Sequence, residues 1–598
     1  MAAAVRTSEG RVAPALTARG AIVSQTVTGA LAGGLVLSLA EANGGYYPPA
    51  WGRTGLVVLC AAMVSLLVRR AGPRSRWEWG TIAAFAGFLS WCAIEAVRPG
   101  AATAAVPEVE RAALYLVVLW AALILLRRET AAAALAGTLA AIVVLAFQEL
   151  GQYLLAPPSI NAFEGRLLFE PLGYANAAGA IAAMGAALAL GVALLGRTVV
   201  HRTLSAATLV PLLATVYLSQ SRGAALALAG GGLVLLVSAA KPIAALVRLG
   251  AALLLPLVGV SICAFAHFGD VQHDVAPGAR RTVAAVLAGL TAASVPAARS
   301  ALRDRPIAEP QTSRRSGPRR RLLIGAALVG CAIGIGIALH HALGDRSAYW
   351  TVAWSDFLHH PLLGSGPGSF GQVWLRHRST QVATNDAHSL YLETLDELGP
   401  LGLGLLTASL LLPFAVRRSV RSPYAPIALT AYVVFLIHAA LDWDWEMPAV
   451  TVAALVLVAV VLVGGRDSAA ETPCSPRSVA ALATATALAV IPFVAIQAGS
   501  NALSAAARSA QVGDWATTKN HAHAAARWQP WSSEPYLLLG QAQAATGHLK
   551  AARRSFHNAA RRAPTDWRPW FDLAAVTHGQ TRAEALKRVL VLDPLGGN

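Results

Sequence analysis

The chain has 598 residues, of which 56% are hydrophobic and only 13% charged. A soluble protein of this length cannot bury that much apolar surface, so soluble globular, disordered and disulfide-scaffold classes are excluded. The net charge of +17 falls in short basic clusters between apolar runs, which orients a membrane protein and argues against a nucleic-acid partner.

With about 20 apolar residues needed per crossing, the sequence predicts an all-α fold, a polytopic transmembrane helix bundle of about fifteen spans. They run 20–41, 51–68, 79–98, 109–126, 131–155, 174–196, 203–219, 223–240, 243–267, 281–298, 322–342, 400–416, 424–441, 448–464 and 479–498. The first is too long for a signal-peptide core and reads as an anchor. Basic clusters such as Arg69/Arg70, Arg127/Arg128, Arg197/Arg202 and Arg417/Arg418 sit on every second loop. Placing them inside sets the N-terminus in the cytoplasm and the C-terminus outside. The five cysteines are scattered and read as inert thiols.

The polar residues of interest then fall on outer loops. Arg166 lies in loop 156–173, Arg222 in the turn Ser219-Gln-Ser-Arg-Gly223, and Arg346 opens the largest loop, 343–399. Trp350, Trp354, Phe357, Phe370 and Trp374 let that loop pack as ordered structure. Its stretch His360-Pro-Leu-Leu-Gly364-Ser-Gly366-Pro-Gly368-Ser-Phe370 lacks the Gly-Lys-Ser/Thr of a phosphate-binding loop. It is expected to be a tight turn between two short amphipathic helices, with glycines at positive φ. Ser389 to Leu398 reads as a further amphipathic helix. His438 and Asp442, four residues apart, are expected on one helix face.

His388-Ser389, nine residues, then Gly399-Pro-Leu-Gly402 closes the loop. Together with the glycine-rich stretch, Ser221-Arg222-Gly223, and Gly165-Arg166 to Tyr174-Ala-Asn176-Ala-Ala-Gly179, this resembles the O-antigen ligase/polymerase superfamily of membrane glycosyltransferases. The likeness covers roughly 160–460; Ala175 stands where the family usually has Pro. It implies transfer of a glycan from a polyprenyl-pyrophosphate donor to an acceptor hydroxyl on a lipid, glycan or protein. It also implies a multi-pass protein of the bacterial plasma membrane, with the loop on the periplasmic or extracellular side.

Two chemical jobs follow from the resemblance. Fixed cations must stabilise the leaving pyrophosphate, and the planar, always charged arginine fork suits this. Arg222, Arg346 and Arg166 are the candidates; the plainer readings are a headgroup contact for Arg222, pairing with Asp345 or Asp356 for Arg346, and pairing with Glu164 or Glu170 for Arg166. A base must take the acceptor proton, and His388 suits neutral pH. Asp386 is a candidate to orient its ring, and Asp442 to pack against the loop, or to be an interfacial acidic turn between Trp443 and Trp445. No His, Cys and carboxylate set has metal spacing, so neither a metal nor any other cofactor is expected.

Residues 499–598 are polar and carry a 34-residue period, with Gly513 and Gly547, and Pro530 and Pro564, as matched pairs. The pattern resembles tetratricopeptide helix pairs, a short solenoid that binds a protein partner. Domains are accordingly 1–160, 161–465 with the catalytic loop 343–399, 466–498 and 499–598. O-antigen ligase-like transfer is the leading function. A Wzy-like polysaccharide polymerase and a protein O-oligosaccharyltransferase are alternatives within the class, and a polysaccharide or lipid transporter or a membrane-tethered scaffold outside it.

Overall fold

A computed structural model describes residues 9–156, 164–239, 242–268, 275–303, 346–416, 422, 424–466 and 473–596. Helices carry the fold, and no strand occurs among these residues. A helix pairs its backbone groups within itself, which a chain this apolar requires in lipid. The helices are α1 (Glu9–Ala40), α2 (Pro48–Arg69), α3 (Arg76–Glu95), α4 (Ala102–Leu125), α5 (Ala131–Leu155), α6 (Ala175–Leu195), α7 (Val199–Ala207), α8 (Leu209–Leu218), α9 (Arg222–Ser238), α10 (Pro242–Phe265) and α11 (Pro277–Ala301). After the next described segment begins come α12 (Arg346–His359), α13 (Phe370–His377), α14 (Leu390–Ala415), α15 (Ala425–His438), α16 (Pro448–Gly464) and α17 (Pro476–Gln511). Five short helices finish the chain: α18 (Trp515–Trp528), α19 (Glu534–Ala545), α20 (Leu549–Arg562), α21 (Arg568–Ala575) and α22 (Gly579–Leu592).

Nine helical stretches among the described residues are long and apolar enough to cross a membrane, and α9, α15 and α16 are shorter apolar helices. Their number and apolarity fit a multi-pass membrane protein. The predicted span 322–342 lies outside the described residues, as do Asp345 and the cluster Arg417/Arg418. Span 203–219 forms two helices that meet at Thr208. Span 400–416 forms as part of α14, which already begins at Leu390.

Helices apolar on every side belong at the centre of a bundle. Every residue of α16 is buried, and it packs against α1, α4, α5 and α15. Helix α6, mostly alanine and glycine, is buried nearly throughout among α5, α7, α8, α9 and α15. Small residues let helix backbones approach closely. Where α1 crosses α5, a Cβ on Gly33 would stand 2.5 Å from the Gly137 carbonyl oxygen. By contrast α10, α11 and α17 leave most of their apolar surface uncovered by protein.

The two ends of the bundle differ chemically. At one end Arg466 donates to Glu78 and to the carbonyls of Leu123 and Leu126, and Cys474 N bonds the Arg70 carbonyl. At the other end the segments 346–389 and 439–447 meet the start of α6. Helix α17 is 36 residues long, about 54 Å at 1.5 Å per residue, and a short turn at 512–514 joins it to the C-terminal helices. The 34-residue sequence period is kept as structure: α18 and α20 begin 34 residues apart and end 34 residues apart.

Candidate functional site

Asp442 is the junction of the site. It lies in the turn after α15, and its Oδ2 accepts from Arg346 Nη2 at 2.6 Å. Its Oδ1 accepts from the Tyr174 hydroxyl at 2.7 Å and from the Trp443 backbone N–H at 2.8 Å. Asn176 Nδ2 in turn donates to the Tyr174 oxygen at 2.8 Å, and the Tyr174 ring stacks on Trp443 with centroids 4.4 Å apart. Burial alone would push the Asp442 carboxyl up, but Arg346 and the nearby histidines outweigh it and hold the pKa below its ordinary value. The acid is thus a fixed anion that aims Arg346. Among the described residues Arg346 pairs with Asp442 and not with the anticipated Asp356; the other anticipated partner, Asp345, lies outside them.

His388 sits on the stretch that descends into α14, with φ of 56°. Positive φ is uncommon for a residue other than glycine and must be imposed by its surroundings. Two contacts impose it: Leu390 N bonds the Ala439 carbonyl at 2.8 Å, and the Tyr349 ring lies 5.0 Å from the imidazole. Nδ1 of His388 stands 3.0 Å from the main-chain oxygen of Asp386. A carbonyl only accepts, so Nδ1 carries the proton and Nε2 keeps its lone pair. Burial pushes the His388 pKa down; Asp442 pulls it up and Arg346 pulls it down again. Orientation of the ring therefore comes from the backbone of Asp386, not from its carboxylate.

A second histidine braces the start of α9. Ser221 caps that helix, accepting from Ala224 N at 3.2 Å, and its Oγ lies 3.2 Å from Nε2 of buried His438. Nδ1 of His438 donates to Asp444 Oδ1 at 2.9 Å. His438 and Asp442 do not share a helix face, because α15 ends at His438 and the chain turns before Asp442. Arg222 follows the cap, exposed at the helix N-terminus, and heads a groove of about 640 Å³ walled by apolar residues of α8, α9 and α10. Arg166 lies apart from this group, in a cavity of about 20 Å³ with Glu149, Gln152, Tyr153, Glu170 and Arg280.

The turn that carries Asp442 also anchors an acidic cluster. Glu446 takes both terminal nitrogens of Arg111, at 2.7 and 2.5 Å, and Glu108 pairs with the same guanidinium. Asp386, Glu393 and Glu446 bring carboxylate oxygens within 4.8 Å of one another. Glu393 also accepts from Ala387 N at 2.8 Å, which pins the residue before His388. Burial pushes the Asp386 and Glu446 carboxyls up, against the pull of Arg111. This is the one grouping of metal-ligand side chains found among the described residues, and Arg111 already occupies two oxygens of Glu446.

Residues 207–407 match the family model described as O-antigen ligase. The match places this segment with the O-antigen ligase superfamily. No curated protein matches the chain. The O-antigen ligase match runs from the end of α7 into α14 and so takes in Ser221-Arg222, Arg346 and His388. It leaves outside Tyr174, His438, Asp442 and Asp444, the residues that hold Ser221 and Arg346 in place. In the sequence Tyr174 carries no signal beyond its place in a motif, and His438 and Asp444 show only as polar residues at the end of a span, with nothing to pair them. An O-antigen ligase-like segment supports a membrane glycosyltransferase-like function, one that implies lipid-linked glycan donors and acceptors in general.

Proposed function

We propose that this protein transfers a glycan from a polyprenyl-pyrophosphate donor to an acceptor hydroxyl at the outer face of the bacterial plasma membrane, as an O-antigen ligase does. The observation that carries the reading is one geometry. The imidazole of His388, protonated on Nδ1, lies in the field of the Arg346–Asp442 pair, and Arg222 heads an apolar groove. A prenyl chain suits that groove, and its pyrophosphate then meets Arg222 at a helix N-terminus, where backbone N–H groups and the helix dipole add to the cation.

In the step itself, Nε2 of His388 takes the acceptor hydroxyl proton as that oxygen attacks the anomeric carbon of the donor glycan. The bond from that carbon to the pyrophosphate oxygen breaks, and polyprenyl pyrophosphate leaves with the electron pair. Arg222 and Arg346 stabilise the charge that grows on it, with Asp442 keeping Arg346 in position. Positioned cations of this kind are worth most where water is excluded. Arg166 is a secondary donor contact at the edge of the same face. No metal takes part in this scheme, since the arginines supply the cationic charge.

Ligation onto a lipid or polymer acceptor is the favoured reaction, ahead of chain polymerisation and protein O-glycosylation. The test is a transfer assay with purified protein, defined polyprenyl-pyrophosphate glycans, and lipid, glycan and peptide acceptors in parallel. Glycosylated lipid or polymer acceptor formed by the wild type, and lost with His388→Ala, is the expected result. Equal turnover by His388→Ala would remove the base assignment.

A further inference from the structure

We infer that the C-terminal helical array is a strap that sets the position of the catalytic histidine, with Asp593 and Arg378 as its positioning residues; the inference rests on the transfer reading above. The array does not hang free. The Thr103 hydroxyl, at the start of α4, lies 3.1 Å from the carbonyls of both Trp531 and Arg562, at the two turns that the 34-residue period makes equivalent. A Cβ on Gly100 would stand 2.7 Å from Pro564 in the second of those turns. Thr565 bonds Gln372 on α13. Beyond α22, Asp593 Oδ1 accepts from Arg378 Nη2 at 2.7 Å, with both side chains less than 10% exposed.

Arg378 closes the path to the site. It follows the last residue of α13, and its Nη1 also donates to the Gln381 carbonyl at 2.8 Å. One turn earlier on α13, Trp374 donates from Nε1 to the Val382 carbonyl at 2.9 Å, and a Cβ on Gly371 would stand 3.0 Å from Asn385. Helix α13 is thus the shelf under 381–387, the stretch that delivers His388. Trp374 meets Tyr349 edge-on at 4.7 Å, and Tyr349 faces the imidazole. Phe370 and Trp374 of α13 form one small buried core with Tyr349, Ala353 and Ala387, so a shift of α13 disturbs the packing around the residue before His388. A buried ion pair that loses one member leaves an uncompensated charge, which releases the contact instead of weakening it slightly.

The test uses the full-length protein in lipid nanodiscs, with Asp593→Ala, Arg378→Ala, and the exchanged pair Arg378→Asp with Asp593→Arg. Backbone hydrogen exchange over 376–387 and transfer kinetics are both read. Each single variant is expected to exchange roughly tenfold faster there and to lose roughly tenfold in kcat, as a small misplacement of a reacting group does. The donor KM stays unchanged, because the Arg222 groove is untouched. The exchanged pair re-forms the ion pair but not the Arg378 bond to the Gln381 carbonyl, so it is expected to recover part of both readouts and to exceed either single. Three results would each overturn the strap: singles with wild-type exchange, faster exchange with unchanged kcat, or an exchanged pair no better than the singles. The exchange readout needs no glycan, so it judges the strap separately from the His388→Ala test of the reaction.

Discussion

His388 takes its protonation state from opposing neighbours, and that makes its chemistry testable. Only the neutral ring accepts a proton, so transfer should rise with pH through the His388 pKa and level off above it. Burial lowers that pKa, so the midpoint of the acid limb should fall below the ordinary value of about 6.5. His388→Ala should lose the limb and about 10²–10⁴ in the chemical step. The two charges beside the ring should move the limb in opposite directions. Asp442 favours the protonated ring, so Asp442→Asn should shift the midpoint further down. Arg346 disfavours it, so Arg346→Ala should shift the midpoint up. Arg346→Ala should also lower the plateau rate by about 10²-fold at saturating donor, the scale of one lost electrostatic donor. Rate–pH profiles of the four proteins check this, and shifts of the same sign in both variants would refute the arrangement. His388, Arg346 and Arg222 were legible in the sequence because each stands in or beside a short motif. Asp442 was legible only as a nearby acid: it meets Arg346 across 96 residues, and no periodicity links positions so far apart.

At the level of elements, the motif glycines have a mechanical meaning that spacing alone does not give. Gly399 has φ 65° and ψ −173° inside α14, and a Cβ there would stand 2.4 Å from the Leu362 carbonyl oxygen. Gly364 lies across from it at φ 74°, where a Cβ would meet the Glu397 backbone at 2.3 Å. The glycine-rich stretch and the end of the His motif are therefore one backbone crossing, clamped by Glu397 accepting from Gly368 N and Phe370 N at 2.8 and 2.9 Å. Positive φ at Gly364, Gly366 and Gly368, and the short helices on either side, followed from composition; the crossing needed the fold. The same holds for the carboxylates. Asp386 comes from a loop, Glu393 from α14 and Glu446 from a turn, so no sequence spacing unites them. Arg111 already pairs with both oxygens of Glu446, and in the proposed scheme the arginines serve the pyrophosphate. Transfer should therefore persist after dialysis against a chelator, measured with and without added divalent ion. Activity abolished by chelation and restored by one ion would make the carboxylate triplet a metal centre.

Across the whole molecule the bundle is polar in an electrostatic sense, and its orientation follows from that asymmetry. Arg69 and Arg70 close α2, Arg127 and Arg128 follow α4, and Arg466 follows α16. These residues gather at the end where Glu78 and the carbonyls of Leu123 and Leu126 hold Arg466. The opposite end carries His388, Arg346, Asp442 and the docked helical array. Lysine and arginine are retained on the cytoplasmic side of short loops, so the first end should face the cytoplasm and the site should face out. The charge alternation, and with it the expectation that alternate loops share one side, was visible in the sequence; the pairing of Arg466 with Glu78 there was not, because it depends on how the helices pack. In a chain with its native cysteines replaced, Gln381→Cys and Glu129→Cys place one thiol at each end. An impermeant thiol reagent applied to intact cells should label Gln381→Cys, while Glu129→Cys should label only after the membrane is opened. The reverse pattern would invert the bundle, put His388 and the groove headed by Arg222 on the cytoplasmic side, and require the glycan donor to be used before it crosses the membrane.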